Sequence, residues 1–316
     1  MDDRTSSPDA ATAPQTVTFE ALLPAAMAER AEESGVRKAS TDALTLLVLS
    51  VLAGAFISFG AIFATTVSAG TITVATADGG AAFSAGLPYG VIRLLTGLVF
   101  SLGLILVIVG GAELFTGNNM IVMAWAGGKV TTRELLFNWI VAFAGNFVGA
   151  ILTAGLMFYT TQYTFGGGAV GLAALSTAHA KASLEFVPAV ALGIMCNVLV
   201  CLAVWMCYGA RTVVDKIVTI IPPITAFVAA GFEHCIANIY FIPMGLFIKA
   251  GAPDSFWASI GKTAAEYPAL TWGNFLFGNL VPVTIGNIVG GSVMVAAIYW
   301  FVYLRKKQSA PQPAPK

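Results

Sequence analysis

The stretch LLTGLVFSLGLILVIVGGAELFTGNNMIVMAW, residues 94–125, is apolar over 32 residues and carries one carboxylate, Glu113, near its middle. A membrane-spanning helix needs only about 20 residues, so this stretch is too long for one straight span. Gly110, Gly111 and Gly117 surround the carboxylate, and glycine adopts left-handed backbone geometry at little cost. The pattern predicts a helix that is interrupted at membrane depth.

A second stretch of this kind covers 36 residues, 213–248, with Gly231, Glu233 and His234 near its middle. Irregular backbone at that depth persists only where protein or a water-filled cavity covers it, because lipid cannot satisfy free N–H and C=O groups. The two interruptions therefore predict a pathway through the protein.

The two halves of the chain repeat each other. Residues 138–150 read NWIVAFAGNFVGA and residues 279–291 read NLVPVTIGNIVGG, and both contain Asn, six residues, Gly-Asn, two residues and Gly. The same order is kept by two pairs spaced five residues apart, Glu113 with Asn118 and Glu233 with Asn238. Three spans in each half is an odd number, so the second copy crosses the membrane in the opposite sense. The sequence therefore predicts an inverted repeat.

Composition sets the class of protein. Hydrophobic residues make up 57% of the 316 residues and charged residues 10%, whereas a soluble domain is about a quarter charged. Six apolar stretches are long enough to span a bilayer, at residues 43–68, 94–125, 135–161, 184–208, 213–248 and 275–304. We therefore expect an all-α membrane protein with six transmembrane helices, the second and fifth interrupted.

The ends of the chain are polar. We expect a disordered tail at 1–18, a cytoplasmic amphipathic helix at 19–40 with Leu22, Leu23, Ala26 and Met27 on one side, a transmembrane channel domain at 41–307 and a second disordered tail at 308–316. No secretory signal is expected, because no apolar segment follows a basic start before residue 43.

Positive charge is distributed unevenly between the two sides. With six spans both termini share one side, which carries twelve basic residues, and the other side carries four, Arg93, Lys181, Lys249 and Lys262. The excess of positive charge on cytoplasmic loops places both termini in the cytoplasm. The formal net charge is zero, so overall charge suggests no nucleic-acid partner.

Ionisable residues inside apolar spans are functional candidates, because an unpaired charge costs several kcal/mol there. For Glu113 and Glu233 we favour a structural role, in which each carboxylate accepts hydrogen bonds from N–H groups exposed at a helix break. The ordinary pKa of histidine, about 6.5, lets His234 exchange a proton near neutral pH or donate an N–H bond while neutral. Asn197 could bind a ligand or fix the tautomer of His234, with helix–helix contact as the alternative.

Other polar chemistry is sparse. Cys196, Cys201, Cys207 and Cys235 all lie within apolar spans, where cysteine is an ordinary core residue, so neither a metal nor a cofactor is expected. A membrane enzyme would need a nucleophile with a base or a metal cluster facing a cavity, and the chain has only one histidine besides His234. We therefore do not expect an enzyme.

Several motifs resemble those of the formate/nitrite transporter family. They are AELFTGN at 112–118, CLAVWM at 201–206, GFEHCIAN at 231–238 and IYFIPMGL at 239–246, together with the repeated Asn-Gly-Asn-Gly segments. The likeness extends from about residue 21 to residue 305. It implies an aquaporin-like fold and a pentamer in which each protomer has its own pore.

The resemblance also implies roles for single residues. Phe100 and Phe227 would form an outer constriction, Leu104 and Phe115 an inner one, and Thr116 would lie on a mobile loop. His234 and Asn197 would be the central polar pair that contacts the permeant anion. Lys181 would draw anions into the outer vestibule, and Lys38 would do so in the inner one.

The long amphipathic segment before the first span, which contains EESGVRKA at residues 32–39, is similar to that of the formate branch of the family. The expected function is therefore transport of formate across a bacterial-type inner membrane, with His234 linking anion passage to protonation. Nitrite and hydrosulfide are the closest alternatives, and acetate and lactate are further candidate anions. An aquaglyceroporin-like conduit for neutral solutes is a rival, but the paired Asn-Pro-Ala boxes are absent.

Overall fold

The computed structural model describes residues 20–70, 72–74 and 83–305. The two tails that we expected to be disordered lie outside these residues. Within the described part of the chain, six helices are long and apolar enough to cross a membrane: Ala43–Ser68, Tyr89–Gly110, Thr132–Tyr159, Phe186–Gly209, Val213–Ala230 and Asn274–Tyr303. The prediction of an all-α membrane protein with six spans is confirmed.

In chain order the helices are α1 (Pro24–Ala39), α2 (Ala43–Ser68), α3 (Tyr89–Gly110), α4 (Phe115–Asn118), α5 (Val122–Ala126), α6 (Thr132–Tyr159), α7 (Ala169–Ala182), α8 (Phe186–Gly209), α9 (Val213–Ala230), α10 (Cys235–Gly251), α11 (Asp254–Ile260), α12 (Val281–Ile288) and α13 (Ile298–Tyr303). Short 3₁₀ turns lie at Asn119–Ile121, Gln162–Thr164 and Ala264–Glu266. Two strands, β1 (Ile72–Val74) and β2 (Phe83–Ala85), form an antiparallel hairpin between α2 and α3. The sequence did not predict this hairpin, α7 or α11.

Both predicted interruptions are present. We call the one at residues 111–114 the first break and the one at residues 231–234 the second break. Helix α3 ends at Gly110, Gly111 takes a left-handed φ of 74°, and α4 begins at Phe115. Helix α9 ends at Ala230, Gly231 takes a φ of 79°, and α10 begins at Cys235. Gly117, which we expected to loosen the first break, lies inside α4 instead.

The shared Gly-Asn-x-x-Gly motif is a packing device. A Cβ atom at Gly149 of α6 would lie 2.0 Å from the Val51 carbonyl oxygen of α2, and one at Gly290 would lie 2.3 Å from the Ile194 carbonyl oxygen of α8. Only glycine permits such close backbone approach. The first span of each half therefore packs directly on the third span of the same half.

The third spans of the two halves differ in regularity. Helix α6 is a continuous α-helix, and its counterpart contains π-helical turns at Asn274–Leu280 and Val289–Ala297 on either side of α12. Pro282, which has no backbone N–H to donate, lies two residues after the end of the first π segment. Such wide turns occur where the regular hydrogen-bond ladder is interrupted.

Helix α1 begins at Pro24, five residues after the position that we expected, in keeping with the preference of proline for the first turn. Its buried face agrees only in part with the expected one, since Met27 belongs to both and Leu22 packs against the same apolar cluster. Leu23 is 76% exposed, and the buried residues are Met27, Ala28, Ala31, Glu32 and Gly35. This face packs on the segment after the first break and on α8. Helix α1 is therefore part of the folded unit.

Candidate functional site

In the part of the chain that the structure describes, a cavity opens beside each helix break; we call the cavity next to α1 the inner cavity and the other the outer cavity. The inner cavity, of about 400 Å³, is lined by Leu104, Gly111, Glu113 and Leu114 and by the α1 residue Lys38. The outer cavity, of about 530 Å³, is lined by Arg93, Phe100, Lys181, Phe227 and His234, among others. Both breaks thus face open space, as irregular backbone at membrane depth requires.

An apolar layer separates the cavities. The rings of Phe100 and Phe227 meet edge to face with their centroids 5.7 Å apart, and both side chains are 3% exposed. Leu104, 2% exposed, stands one helical turn further along α3 and lines the inner cavity. One turn rises about 5.4 Å, so the layer between Phe100 and Leu104 is about one turn thick.

Phe115 differs in position from the other predicted constriction residues. Its ring packs against Trp139 and Phe143 of α6, with centroids 6.0 and 5.1 Å away, and it lines neither cavity. The preceding residue, Leu114, lines the inner cavity instead. The repeat contained a signal for this residue, because it pairs Leu114 with His234, each directly after its glutamate.

His234 caps the amino end of α10. Its Nδ1 atom accepts a hydrogen bond from the Ala237 backbone N–H at 3.1 Å, so the neutral ring carries its proton on Nε2. Nε2 lies 3.0 Å from the Thr116 hydroxyl oxygen and is therefore the donor of that bond. The side chain is 2% exposed and its ring stacks on Phe227. His234 thus presents one N–H donor at the apolar layer.

Thr116 lies in the first turn of α4, directly after the first break. Its hydroxyl contacts His234 from the second break, so the two breaks meet through this pair. Its backbone carbonyl accepts from the Asn197 side chain at 3.3 Å and from the Cys201 thiol at 3.4 Å. Thr116 is therefore held in place at the backbone, while its hydroxyl faces the imidazole.

Asn197 is completely buried and holds several backbones together. Its Nδ2 atom donates to the Asn119 side chain at 2.9 Å and to the Asn287 carbonyl oxygen at 2.7 Å. Asn197 lines neither cavity and no hydrogen bond joins it to His234. The tautomer of His234 is fixed by the Ala237 N–H, which corrects our expectation that Asn197 could do this.

A polar network surrounds the first break. Lys38 Nζ lies 2.7 Å from both carboxylate oxygens of Glu113 and 3.1 Å from Asn118 Oδ1. Asn118 Nδ2 donates to Glu113 at 2.8 Å and to the Asn138 side chain at 2.8 Å. Asn138 in turn donates to the Lys38 carbonyl oxygen. The network closes on itself and ties the end of α1 to the break.

The second break has the same network. Lys181 Nζ lies 2.7 Å from Glu233 Oε1, and Asn238 Nδ2 donates to Glu233 Oε2 at 2.6 Å and to Asn279 Oδ1 at 2.7 Å. Asn279 donates to the Lys181 carbonyl oxygen at 2.9 Å. Lys181 is the second-last residue of α7, as Lys38 is of α1, so each half begins with a short helix that brings a lysine to its glutamate.

A second asparagine holds the backbone of each break. Asn146 accepts from the Phe115 N–H at 2.9 Å and donates to the Glu113 carbonyl oxygen at 2.9 Å. Asn287 accepts from the Cys235 N–H at 2.9 Å and donates to the Glu233 carbonyl oxygen at 2.9 Å. The exposed N–H groups thus bind asparagine, and the glutamates that we expected to accept from them bind lysine and asparagine instead.

Residues 20–70 and 83–305 contain no cluster of side chains that could bind a metal ion. No group of three or more His, Cys, Asp and Glu side chains there could hold a metal ion. The four cysteines are buried free thiols.

Comparisons with known proteins agree with this architecture. The family described as formate/nitrite transporter matches residues 25–301. Formate channel FocA of Escherichia coli strain K12 is 44% identical over 288 residues, which is 91% of this chain and 96% of the relative. Formate channel FocA of Haemophilus influenzae is 39% identical over 281 residues, 89% of this chain and 94% of the relative.

A solved structure described as a pentameric formate channel with formate bound matches with a TM-score of 0.75 and 45% identity, covering 83% of this chain and 98% of that one. Family, relatives and fold therefore agree along nearly the whole of the described sequence. The chain belongs to the formate/nitrite transporter family.

Proposed function

We propose that this chain conducts formate, and related small monovalent anions of weak acids, across a bacterial-type inner membrane through a pore in each protomer. The names of its relatives and of the matched structure support formate as the first substrate. The pathway runs from the outer cavity past Phe100 and Phe227 to His234 and Thr116, and then past Leu104 and Leu114 into the inner cavity.

The observation that carries the proposal is the Nε2–H of His234 at the apolar layer between two cavities. A carboxylate oxygen that takes the place of the Thr116 hydroxyl accepts this hydrogen bond, and the hydroxyl can then donate to the same anion. Because both donors are neutral, the site holds a monovalent anion without trapping it, which conduction requires.

The negative charge of the anion opposes its passage through the apolar layer. A bare carboxylate loses its hydration there, but a carboxylic acid with a pKa of about 4 crosses readily once it is protonated. Only the imidazolium form of His234 can donate that proton, and forming it places a second proton on Nδ1, which now accepts from the Ala237 N–H. Protonation of Nδ1 therefore opens the cap of α10. Transfer of the Nε2 proton to formate leaves the ring with its remaining proton on Nδ1, so the cap re-forms only after the ring releases that proton to water and takes up another on Nε2.

Assembly and orientation belong to the same proposal. We infer a homopentamer embedded in membrane lipid, with both termini in the cytoplasm. Of the described basic residues, Arg30, Arg37, Lys38, Lys129, Arg133, Arg211, Lys216 and Arg305 belong to the side that we place there. This bias supports the orientation.

The test is uptake of labelled formate into liposomes that contain the purified protein, with excess unlabelled formate, acetate, nitrite or hydrosulfide as competitors. We expect saturable uptake above that of protein-free liposomes, with formate as the strongest competitor. Stronger competition by nitrite or hydrosulfide would support the alternative substrates, and uptake equal to that of empty liposomes would reject transport.

A further inference from the structure

The charges that line the outer cavity do not contribute equally. Among the described residues, three charged side chains line it, Arg93, Lys181 and Glu233. Lys181 and Glu233 form an ion pair at 2.7 Å, with side chains 16% and 5% exposed, so their charges cancel. No carboxylate of a described residue pairs with Arg93. The net positive charge of this cavity therefore belongs to Arg93.

Arg93 stands above the constriction on the same face of α3. Thr96 and Phe100, three and seven residues later, also line the outer cavity. At 1.5 Å per residue, Arg93 lies about 10 Å along α3 from Phe100. An anion that enters from outside thus meets the guanidinium about two helical turns before the apolar layer.

The guanidinium also covers the end of the broken helix α9. Arg93 Nε donates to the Ala229 carbonyl oxygen at 3.1 Å, and Nη2 donates to the Val228 carbonyl oxygen. A helix carboxyl end carries roughly half a negative charge, which would repel an anion at this point in the path. The full positive charge of Arg93 outweighs it and leaves an attractive field.

Hydrogen-bond donors remain available on the same group. A guanidinium has five N–H donors, and two of those on Arg93 are bound to carbonyl oxygens. The other three have no hydrogen-bond acceptor among the described residues. A carboxylate matches the fork geometry of arginine with two parallel hydrogen bonds.

We propose that Arg93 is the outer docking residue for the permeant carboxylate, and that Lys181 serves as the counter-ion of Glu233. This inference rests on the proposed function. It assigns substrate capture from the outer side to a residue that the sequence motifs did not single out.

The test compares concentration-dependent formate uptake of the full-length chain in liposomes with that of Arg93→Gln and Arg93→Lys. Gln keeps donors for the α9 carbonyls and removes the charge, whereas Lys keeps the charge. We expect Arg93→Gln to raise the half-saturating formate concentration about fivefold with a maximal rate within about twofold of wild type, because a cavity charge acts on local anion concentration. Arg93→Lys should lie closer to wild type.

Lys262→Gln is the matched control, because Lys262 is an exposed cation outside the outer cavity that pairs with Glu266. It should leave the half-saturating concentration unchanged. Added salt should weaken uptake by wild type more than uptake by Arg93→Gln, since screening removes an effect that the variant already lacks.

A charge-restoration experiment separates charge from shape. Arg93→Cys is labelled with either a trimethylammonium-ethyl or a neutral methanethiosulfonate of similar size; the native cysteines are buried, and labelled wild type is the control. The cationic label should lower the half-saturating concentration relative to the neutral label. Equal values for the two labels, or wild-type behaviour of Arg93→Gln, would overturn the assignment while wild-type uptake still upheld the proposed function.

Discussion

At the level of single residues, Asn146 and Asn287 hold the exposed backbone of the two breaks. Each side chain accepts a hydrogen bond from one backbone N–H of its break and donates one to the backbone carbonyl oxygen of the glutamate in the same break. Both asparagines are 0% exposed. A buried N–H or C=O without a partner costs about 1–3 kcal/mol. These amides therefore stabilise an irregular backbone that neither helix nor lipid can satisfy.

Replacing Asn287 by Ala is expected to lower the free energy of unfolding by about 3 kcal/mol or more, because it leaves the Cys235 N–H and two carbonyl groups without their partner. Thermal unfolding in detergent measures this. Asn274→Ala, at an exposed position of the same span, is the control and should shift the midpoint much less. Equal shifts would show that the amide of Asn287 has no special structural role.

The ion pair of Lys181 and Glu233 leads to a double-mutant prediction. Removing either partner alone leaves a charge in a mostly buried site, at a cost of about 3–5 kcal/mol. Replacing both by Gln should cost less than the sum of the single changes. The exposed pair Lys262 and Glu266 is the control and should show no measurable coupling. Additive effects at Lys181 and Glu233 would contradict the pairing.

Which residues matter was partly predictable from the sequence, because Glu113, Glu233 and His234 are polar groups in apolar stretches. Their partners were not predictable, since a sequence does not show which side chain a distant helix brings near. Lys38 and Lys181 were expected to face the vestibules as attracting charges, and the structure pairs them with the glutamates. Phe115 was expected at a constriction, but the turn of α4 directs it towards α6.

At the level of helices, a short helix precedes the first span of each half, and only one of these two helices was predicted from the sequence. Helix α1 was expected, whereas its counterpart α7 was not, because residues 169–182 are rich in Ala and have no distinct polar face. Both helices end beside the lysine that reaches a break. The repeat therefore includes four helical elements in each half, one more than the three spans that the apolar stretches indicate.

The helix ends at the breaks give a prediction about glycine. Gly111 has a φ of 74° with open space around its Cβ position, so Gly111→Ala introduces backbone strain alone. We expect a loss of about 1 kcal/mol in the free energy of unfolding. Gly117→Ala is the control, because Gly117 is helical with its nearest neighbour 3.7 Å away, and it should be neutral or slightly stabilising. The opposite order would contradict the assigned break.

At the level of the whole molecule, the inverted repeat is symmetric in its framework and asymmetric at its centre. The lysine, glutamate and asparagine positions match between the halves, while Leu114 stands where the other half has His234. The two halves thus form their breaks in the same way, and the one difference, His234 in place of leucine, provides the N–H donor. The six spans and the repeat could be predicted from the sequence because the length of an apolar stretch and the order of motifs can be read from the sequence alone. The hairpin of β1 and β2 did not, because its strands are only three residues long.

The assembly gives a further prediction. A homopentamer of the 32.8 kDa chain should have five times the mass of one protomer once bound detergent is subtracted. Native mass spectrometry of the purified protein measures this directly. A monomer as the main species, in a detergent that preserves formate uptake on reconstitution, would contradict the pentamer.

The proposed role of His234, whose neutral tautomer is set by the cap of α10, is to link anion passage to protonation. Its most direct test is the pH dependence of formate uptake, from mildly acidic to neutral pH, by wild type, His234→Asn and His234→Phe in liposomes. Asparagine is a preferred helix cap and keeps an N–H donor, so His234→Asn should fold and conduct formate with a flattened pH dependence. His234→Phe should lose most of its uptake. Wild-type pH dependence in either variant would contradict the account.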